Sequence, residues 1–200
     1  SMVGTHLIVA YLGDAKSQAE RFTLDGHPVG KIDLPGIGTA AGFGGRYGDG
    51  ETFFSFSSFA TPPTIYSFNA ETNRSEPFFT PDVAFDPAAY ETDQIFYPSK
   101  DGTPIPMFIV RRKDMADGPA PTLLYGYGGF NVSLTPNFSA ARAAWISPSA
   151  CCMPVMPTGA MHTGILVATP TIVVAVLRPS MFTATRWRSL IFWKSSELAR

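Results

Sequence analysis

The residues of this chain best suited to chemistry stand together where Thr122-Leu123-Leu124-Tyr125 runs into Gly126-Tyr127-Gly128-Gly129-Phe130-Asn131. Glycine lacks the side chain that holds other atoms away, so a glycine run at the end of an apolar strand lets backbone pass close to a ligand or a reacting atom. Tyr127 adds a phenol to that backbone. With an ordinary pKa of about 10, a phenol is protonated at neutral pH and can donate a hydrogen bond to charge developing on a tetrahedral intermediate. Such a donor is worth on the order of 3 kcal/mol of transition-state stabilisation. Two plainer readings compete. A tight turn needs the same glycines, and a phosphate cradle uses the same exposed N–H groups, although no Lys-Ser/Thr pair and no G-x-G-x-x-G pattern accompanies this loop.

Acyl transfer also needs a nucleophile and a base. No serine in the chain has glycine at both −2 and +2, so the sharp G-x-S-x-G elbow that exposes a nucleophilic hydroxyl is absent. His6, His27 and His162 stand in no motif and read as surface or structural residues. Cys151 and Cys152 are neighbours with no CxxC or Cys/His spacing around them, which excludes a disulfide framework or a closed zinc site built from this chain's cysteines.

The elements that must position the loop are short strands. To about residue 82 the chain alternates apolar runs with turn signals, and strands are expected at His6–Leu12, Arg21–Leu24, Val29–Leu34, Thr52–Phe59 and Thr64–Phe68. Arg21-Phe22-Thr23-Leu24-Asp25-Gly26 and Ile65-Tyr66-Ser67-Phe68-Asn69-Ala70 echo one another 44 residues apart. That period fits a four-stranded propeller blade, with an antiparallel sandwich as the alternative. Asp82–Ala89, punctuated by Pro81 and Pro87, reads as a linker. Beyond it, Gln94–Tyr97 and Ile105–Val110 form a hairpin around Pro98-Ser99-Lys100-Asp101-Gly102, and Thr122–Tyr125 is a buried strand leading into the glycine loop. Ser139–Trp145 is the best helix, with Ser139 as its N-cap.

Composition sets the outer bounds. Two hundred residues, 45% apolar and 16% charged, can bury one good core or two small ones. Fifteen Lys+Arg against sixteen Asp+Glu leave no field to hold a nucleic acid or an anionic membrane. The most apolar stretch, Gly164 to Leu177, is too short for a bilayer and contains Pro170. The opening Ser1-Met2 has no basic region or small-residue cleavage site, so a cytoplasmic protein is expected. Charge is uneven along the chain: residues 1–117 carry 15 acids and 9 bases, whereas residues 118–200 carry the single acid Glu197 and 6 bases. A soluble domain places both signs on its surface, so the last part of the chain is poorly matched to what precedes it.

Several stretches together resemble the prolyl oligopeptidase family. They are Tyr11-Leu12-Gly13-Asp14-Ala15-Lys16, Phe56-Ser57-Ser58-Phe59-Ala60-Thr61-Pro62-Pro63-Thr64-Ile65-Tyr66, Tyr97-Pro98-Ser99-Lys100-Asp101-Gly102-Thr103, Ile105-Pro106-Met107-Phe108-Ile109-Val110 and Leu124 to Asn131, with Thr135-Pro136 beyond. The likeness covers about residues 5–146. It implies the last blades of a β-propeller (1–82), a linker (83–89), the N-terminal part of an α/β-hydrolase catalytic domain (90–146) and an unmatched tail (147–200). The fold class expected is therefore a propeller fragment followed by the incomplete start of an α/β-hydrolase.

The resemblance further implies a serine endopeptidase that cleaves short peptides after proline, needs no metal or organic cofactor, and is monomeric in its full-length form. Tyr127 matches the family's oxyanion-hole tyrosine, and Phe130 matches an apolar wall of the pocket for the substrate proline. The Ser-His-Asp triad has no counterpart in this chain. Downstream of Trp145 the family would show an apolar strand and then an Arg-Gly-Gly-Gly-Glu-Tyr-Gly run, where this chain has Ser147-Pro148-Ser149-Ala150-Cys151-Cys152. A reading frame or exon boundary lost near residue 146 would account for this, and it would make Val173–Leu177 an apolar tract never selected to pack. The expectation is a form inactive on its own. A non-catalytic β-rich binding fragment is the alternative, and a small complete enzyme pairing Tyr127 with His162 or Cys151 is a third reading that no spacing in the tail recommends.

Overall fold

A computed structural model describes residues 1–115, 120, 122–127, 133–147 and 171–176 of the chain. These residues form three four-stranded sheets. The first runs β1 (Met2–Val3), β2 (His6–Gly13), β3 (Lys16–Thr23), β4 (Pro28–Lys31), each strand antiparallel to the next. The second repeats the plan with β5 (Thr39–Gly44), β6 (Glu51–Ser57), β7 (Thr64–Asn69) and β8 (Arg74–Phe79). These are two blade-like meanders, and they close no ring among the described residues. Arg21 lies on β3 and Ile65 on β7, the third strand of each meander, so the 44-residue echo marks equivalent strands.

Turn chemistry fixes these hairpins. Asp14 and Ala15 between β2 and β3 both have positive φ, 52° and 63°, the conformation of a two-residue turn whose twist matches that of the flanking strands. Between β7 and β8 the Asn69 Oδ1 accepts from the N–H groups of Glu71 and Thr72, at 3.0 and 2.9 Å, and folds the chain back.

Burial alternates along β6 as strand geometry demands: Thr52, Phe54 and Phe56 are buried while Phe53 and Ser55 face outward. The buried set joins Phe43 and Phe68 and meets Val3, Ile8, Ala19 and Ile32 of the first sheet to make one core. Phe43 stacks on Phe54 with ring centroids 4.6 Å apart and meets Phe68 edge-on at 6.1 Å. Phe43 reaches this core because the β5–β6 register shifts between Gly42 and Gly44. A Cβ on Gly42 would come within 2.8 Å of the Phe53 carbonyl oxygen, so the bulge requires glycine there. Arg21 is buried at the same interface and donates from Nη1 to the Ala70 carbonyl at 2.5 Å.

The third sheet contains β9 (Tyr90–Pro98), β10 (Pro104–Arg112), β11 (Thr122–Tyr127) and β12 (Thr171–Val176) in the order β11-β12-β10-β9. A 3-10 turn at Pro87–Ala89 leads into β9, and helix α1 spans Ala140–Ile146. A second core holds this region against the blades: Ala15, Phe59 and Ala60 pack with Tyr90, Phe108, Val110 and Ile146. Polar links follow the same seam. Gln94 Nε2 donates to the Asp14 carbonyl at 2.6 Å, Thr39 Oγ1 to the Pro136 carbonyl at 2.7 Å, and the Phe138 N–H to Ser57 Oγ at 3.1 Å.

The five strands expected before residue 82 are present with shifted ends, and three more appear. β5 is Thr-Ala-Ala-Gly-Phe-Gly and β8 contains Pro77, compositions that read as loop; proline is tolerated in β8 because it is an edge strand. Ser139 is the N-cap of α1 with extended backbone, but its side chain makes no capping hydrogen bond. Most of the apolar tract Val173–Leu177 lies in a strand, and Leu177 lies outside the described residues. Thr171–Val176 is a strand paired on both sides, with β10 antiparallel and β11 parallel.

Candidate functional site

The apolar, β-branched or aromatic start of β11 makes it a strand, and pairing with β12 carries it further than its composition suggests. Gly126 and Tyr127, read from sequence as loop, are the last two strand residues, opposite Ala175 and Val176. Because β11 and β12 are parallel, Tyr127 stands at the carboxyl end of both. In sheets containing parallel strands that end is where ligands bind, since the chain leaves the sheet there and backbone N–H groups lose their ladder partners. Phe130, and with it Gly128, Gly129 and Asn131, lies outside the described residues.

Helix α1 buries Ala143 and Ile146, and Ile146 packs in the second core with Tyr90, Phe108 and Val110, its carbonyl oxygen receiving the Tyr90 hydroxyl at 3.4 Å. Arg142 donates to the Asn137 carbonyl at 2.6 Å and lies over the Phe59 ring, 5.6 Å from its centroid. Burial lowers the Arg142 pKa, with a smaller opposing effect from Tyr125. The phenols of Tyr66 and Tyr97 are raised by burial, and Tyr90 by burial against an opposing effect of Arg112. These phenols therefore stay protonated at neutral pH.

His6 and His27, read from sequence as surface or structural residues, belong to the first sheet and its turns, whereas Tyr127 belongs to the third sheet. His6 lies on β2 opposite Thr23, and the His27 N–H bonds the Thr23 hydroxyl at 3.1 Å, so both belong to one end of the first sheet. His162, Cys151 and Cys152 lie outside the described residues. Among the described residues no cluster of three or more His, Cys, Asp or Glu could hold a metal ion, and no helix is long and apolar enough to cross a membrane. One feature the sequence reading missed is a cavity of about 300 Å³ between the second sheet and the linking segment, lined by residues that include Pro62, Tyr66, Asp82, Val83 and Phe85. Its signal was the run of prolines and aromatics around residues 62–87, read there only as punctuation.

Comparison with known proteins assigns this architecture. Residues 1–81 match the family model described as prolyl oligopeptidase, N-terminal beta-propeller domain. A prolyl endopeptidase of Elizabethkingia miricola is 45% identical over 144 residues, which is 72% of this chain. The chain is similar to a part of prolyl oligopeptidases. It spans about a fifth of the length of the curated relatives it matches, 20% for that endopeptidase and 19% for the dual function macrocyclase-peptidase POPB of Galerina marginata, which is 38% identical over 139 residues. Among solved structures, one from an analysis of two prolyl endopeptidases superposes with a TM-score of 0.71 at 46% identity, covering 87% of this chain and 22% of its own. Prolyl oligopeptidase B from Galerina marginata, bound to a 25mer macrocyclization substrate, gives 0.64 at 28% identity over 86% of this chain and 22% of its own.

Proposed function

We propose that this chain carries the junction of a proline-directed serine endopeptidase, joining the last blades of its propeller (1–82) through a linker (83–89) to the first strands of an α/β-hydrolase sheet (90–146). In this reading Tyr127 donates its hydroxyl to the oxyanion formed when a serine attacks the carbonyl after proline, and Phe130 lines the pocket for the pyrrolidine ring by apolar contact. The substrates are proline-containing oligopeptides. The observation that carries the reading is Tyr127 at the shared carboxyl end of the parallel pair β11–β12, in a chain whose relatives are named prolyl endopeptidases. No metal or organic cofactor has a role in this mechanism, and the compartment proposed is the cytoplasm.

As a 200-residue polypeptide the chain is inactive in this proposal, because no serine in it sits in an elbow that could present a nucleophile. A chromogenic Gly-Pro amide tests it: no turnover is expected, with or without Tyr127→Phe. Turnover lost on Tyr127→Phe, or stoichiometric labelling of any serine by a fluorophosphonate, overturns it.

The tail from residue 147 is proposed to be out of frame. Its single acid, Glu197, supports this, and a β-branched apolar tract occupies an open strand position whatever its origin. Translating the other two frames past codon 146 is the test, with an Arg-Gly-Gly-Gly-Glu-Tyr-Gly run expected in one of them and its absence from both overturning the idea.

A further inference from the structure

The chain downstream of the glycine loop is gripped by the second sheet. Thr39 and Ser57 stand opposite each other where β5 begins and β6 ends. A Cβ on Gly38 would come within 2.6 Å of the Ser57 carbonyl oxygen, so glycine at that position lets the two strands approach. The pair offers one donor and one acceptor. Thr39 Oγ1 donates to the Pro136 carbonyl at 2.7 Å, while the Ser57 hydroxyl donates to the Thr61 carbonyl at 3.2 Å and accepts from the Phe138 N–H at 3.1 Å. In extended backbone the C=O of one residue and the N–H of the residue two further on face the same edge, so the two hydroxyls take up these groups as a neighbouring strand would. The Asn137 carbonyl between them goes to Arg142 of α1 at 2.6 Å, and Phe138 meets Phe85 edge-on at 5.9 Å.

These contacts hold residues 136–138 to the blade, and the ladder from Thr122 to Tyr127 holds the chain upstream to β12. The glycine loop therefore runs between two anchors, one in the third sheet and one on the second. Fixing both ends of a segment removes conformations that fixing one end leaves open, and an oxyanion donor is effective when it is already in place as charge develops. We propose that Thr39 and Ser57 are positioning residues for Tyr127. Acting through Pro136 and Phe138, they set where the glycine loop rejoins the blade, and with it the placement of the phenol at the start of that loop. Neither hydroxyl touches substrate in this proposal, which rests on the reading of Tyr127 as an oxyanion donor.

The test uses the whole 200-residue chain with its tyrosines replaced by 3-fluorotyrosine, the fluorine resonance of Tyr127 being the one lost in Tyr127→Phe. Thr39→Val keeps the shape of the side chain and removes the hydroxyl, and Ser57→Ala removes the acceptor. Each should displace the Tyr127 resonance and accelerate amide exchange over residues 137–139 by about 3- to 10-fold, the effect of one lost hydrogen bond. Exchange in β2, β3, β6 and β7 should stay as it was. Thr39→Ser keeps the donor and should restore both readouts; Ser57→Ala alone decides the matter if Thr39→Val fails to fold. A Tyr127 resonance unmoved by the substitutions, a Thr39→Ser chain that behaves like Thr39→Val, or exchange accelerated equally in β6 and β7 overturns the proposal. None of these readouts needs turnover, so labelling of a serine by a fluorophosphonate would remove the peptidase reading and leave them unchanged, whereas an unmoved resonance removes the positioning role alone.

Discussion

A single carboxylate shows how much of this fold rests on local hydrogen bonding. Asp101, in the turn between β9 and β10, accepts from the Ser99 hydroxyl and from the Thr103 N–H, the latter at 3.0 Å. These bonds, that from Ser99 foremost, hold its pKa at about 2 against an ordinary 3.8. A carboxylate lowered on folding stabilises in full above its unfolded value and loses that contribution as pH falls from 3.8 to about 2. An NMR titration should therefore place the Asp101 midpoint near the lower figure, and Ser99→Ala should move it upward. Arg21 poses the opposite problem, a buried guanidinium whose described partner is the uncharged Ala70 carbonyl. Removing a hydrogen bond to a charged group costs about 1.5–3 kcal/mol, so Arg21→Ala should lower the urea midpoint. Arg21→Met fills the same space without burying charge and should cost less.

Strands and turns carry the next level of specification. At Asp14 the left-handed backbone admits glycine or asparagine readily and a β-branched residue poorly. Asp14→Val should destabilise by about 1–2 kcal/mol and Asp14→Gly should be neutral or stabilising, as urea unfolding will report. In the core between the blades, Phe54→Ala should cost about 3–5 kcal/mol, because Phe43 and Tyr66 stack on either side of its ring and cannot both close the space. The strands that were legible in the sequence are the ones with clear period-2 burial, such as β6, or with apolar runs ended by Asp-Gly or Asn. Those that were missed have the wrong composition for a strand and owe their conformation to neighbours: β5 to the bulge at Phe43, β8 to its place at a sheet edge. The site was legible in part for the same reason. The glycine loop announced itself by composition, but the two extra strand residues at its start depend on a partner strand nearly fifty residues away.

At the scale of the whole chain, the third sheet depends on β12. It lies between β10 and β11, which have no direct pairing with each other. Val174→Pro would remove a ladder donor and distort the strand, and hydrogen exchange should then accelerate over β10 and β11 while β2, β3, β6 and β7 keep their protection. That separation matches the family comparison, in which residues 1–81 match the propeller domain by themselves.

The placement of β12 also sets a sequence of events during synthesis. Every pairing in the first two sheets joins neighbours in the chain, and these can zip as soon as they leave the ribosome. Ile172 must reach Val110 across some sixty intervening residues. Until it is translated, β10 and β11 each present an unsatisfied edge, the kind of surface that chaperones capture and that misassembles when they do not. The nascent chain should thus pass through a long interval with its amino-terminal half finished and its glycine loop still without the strand that anchors it.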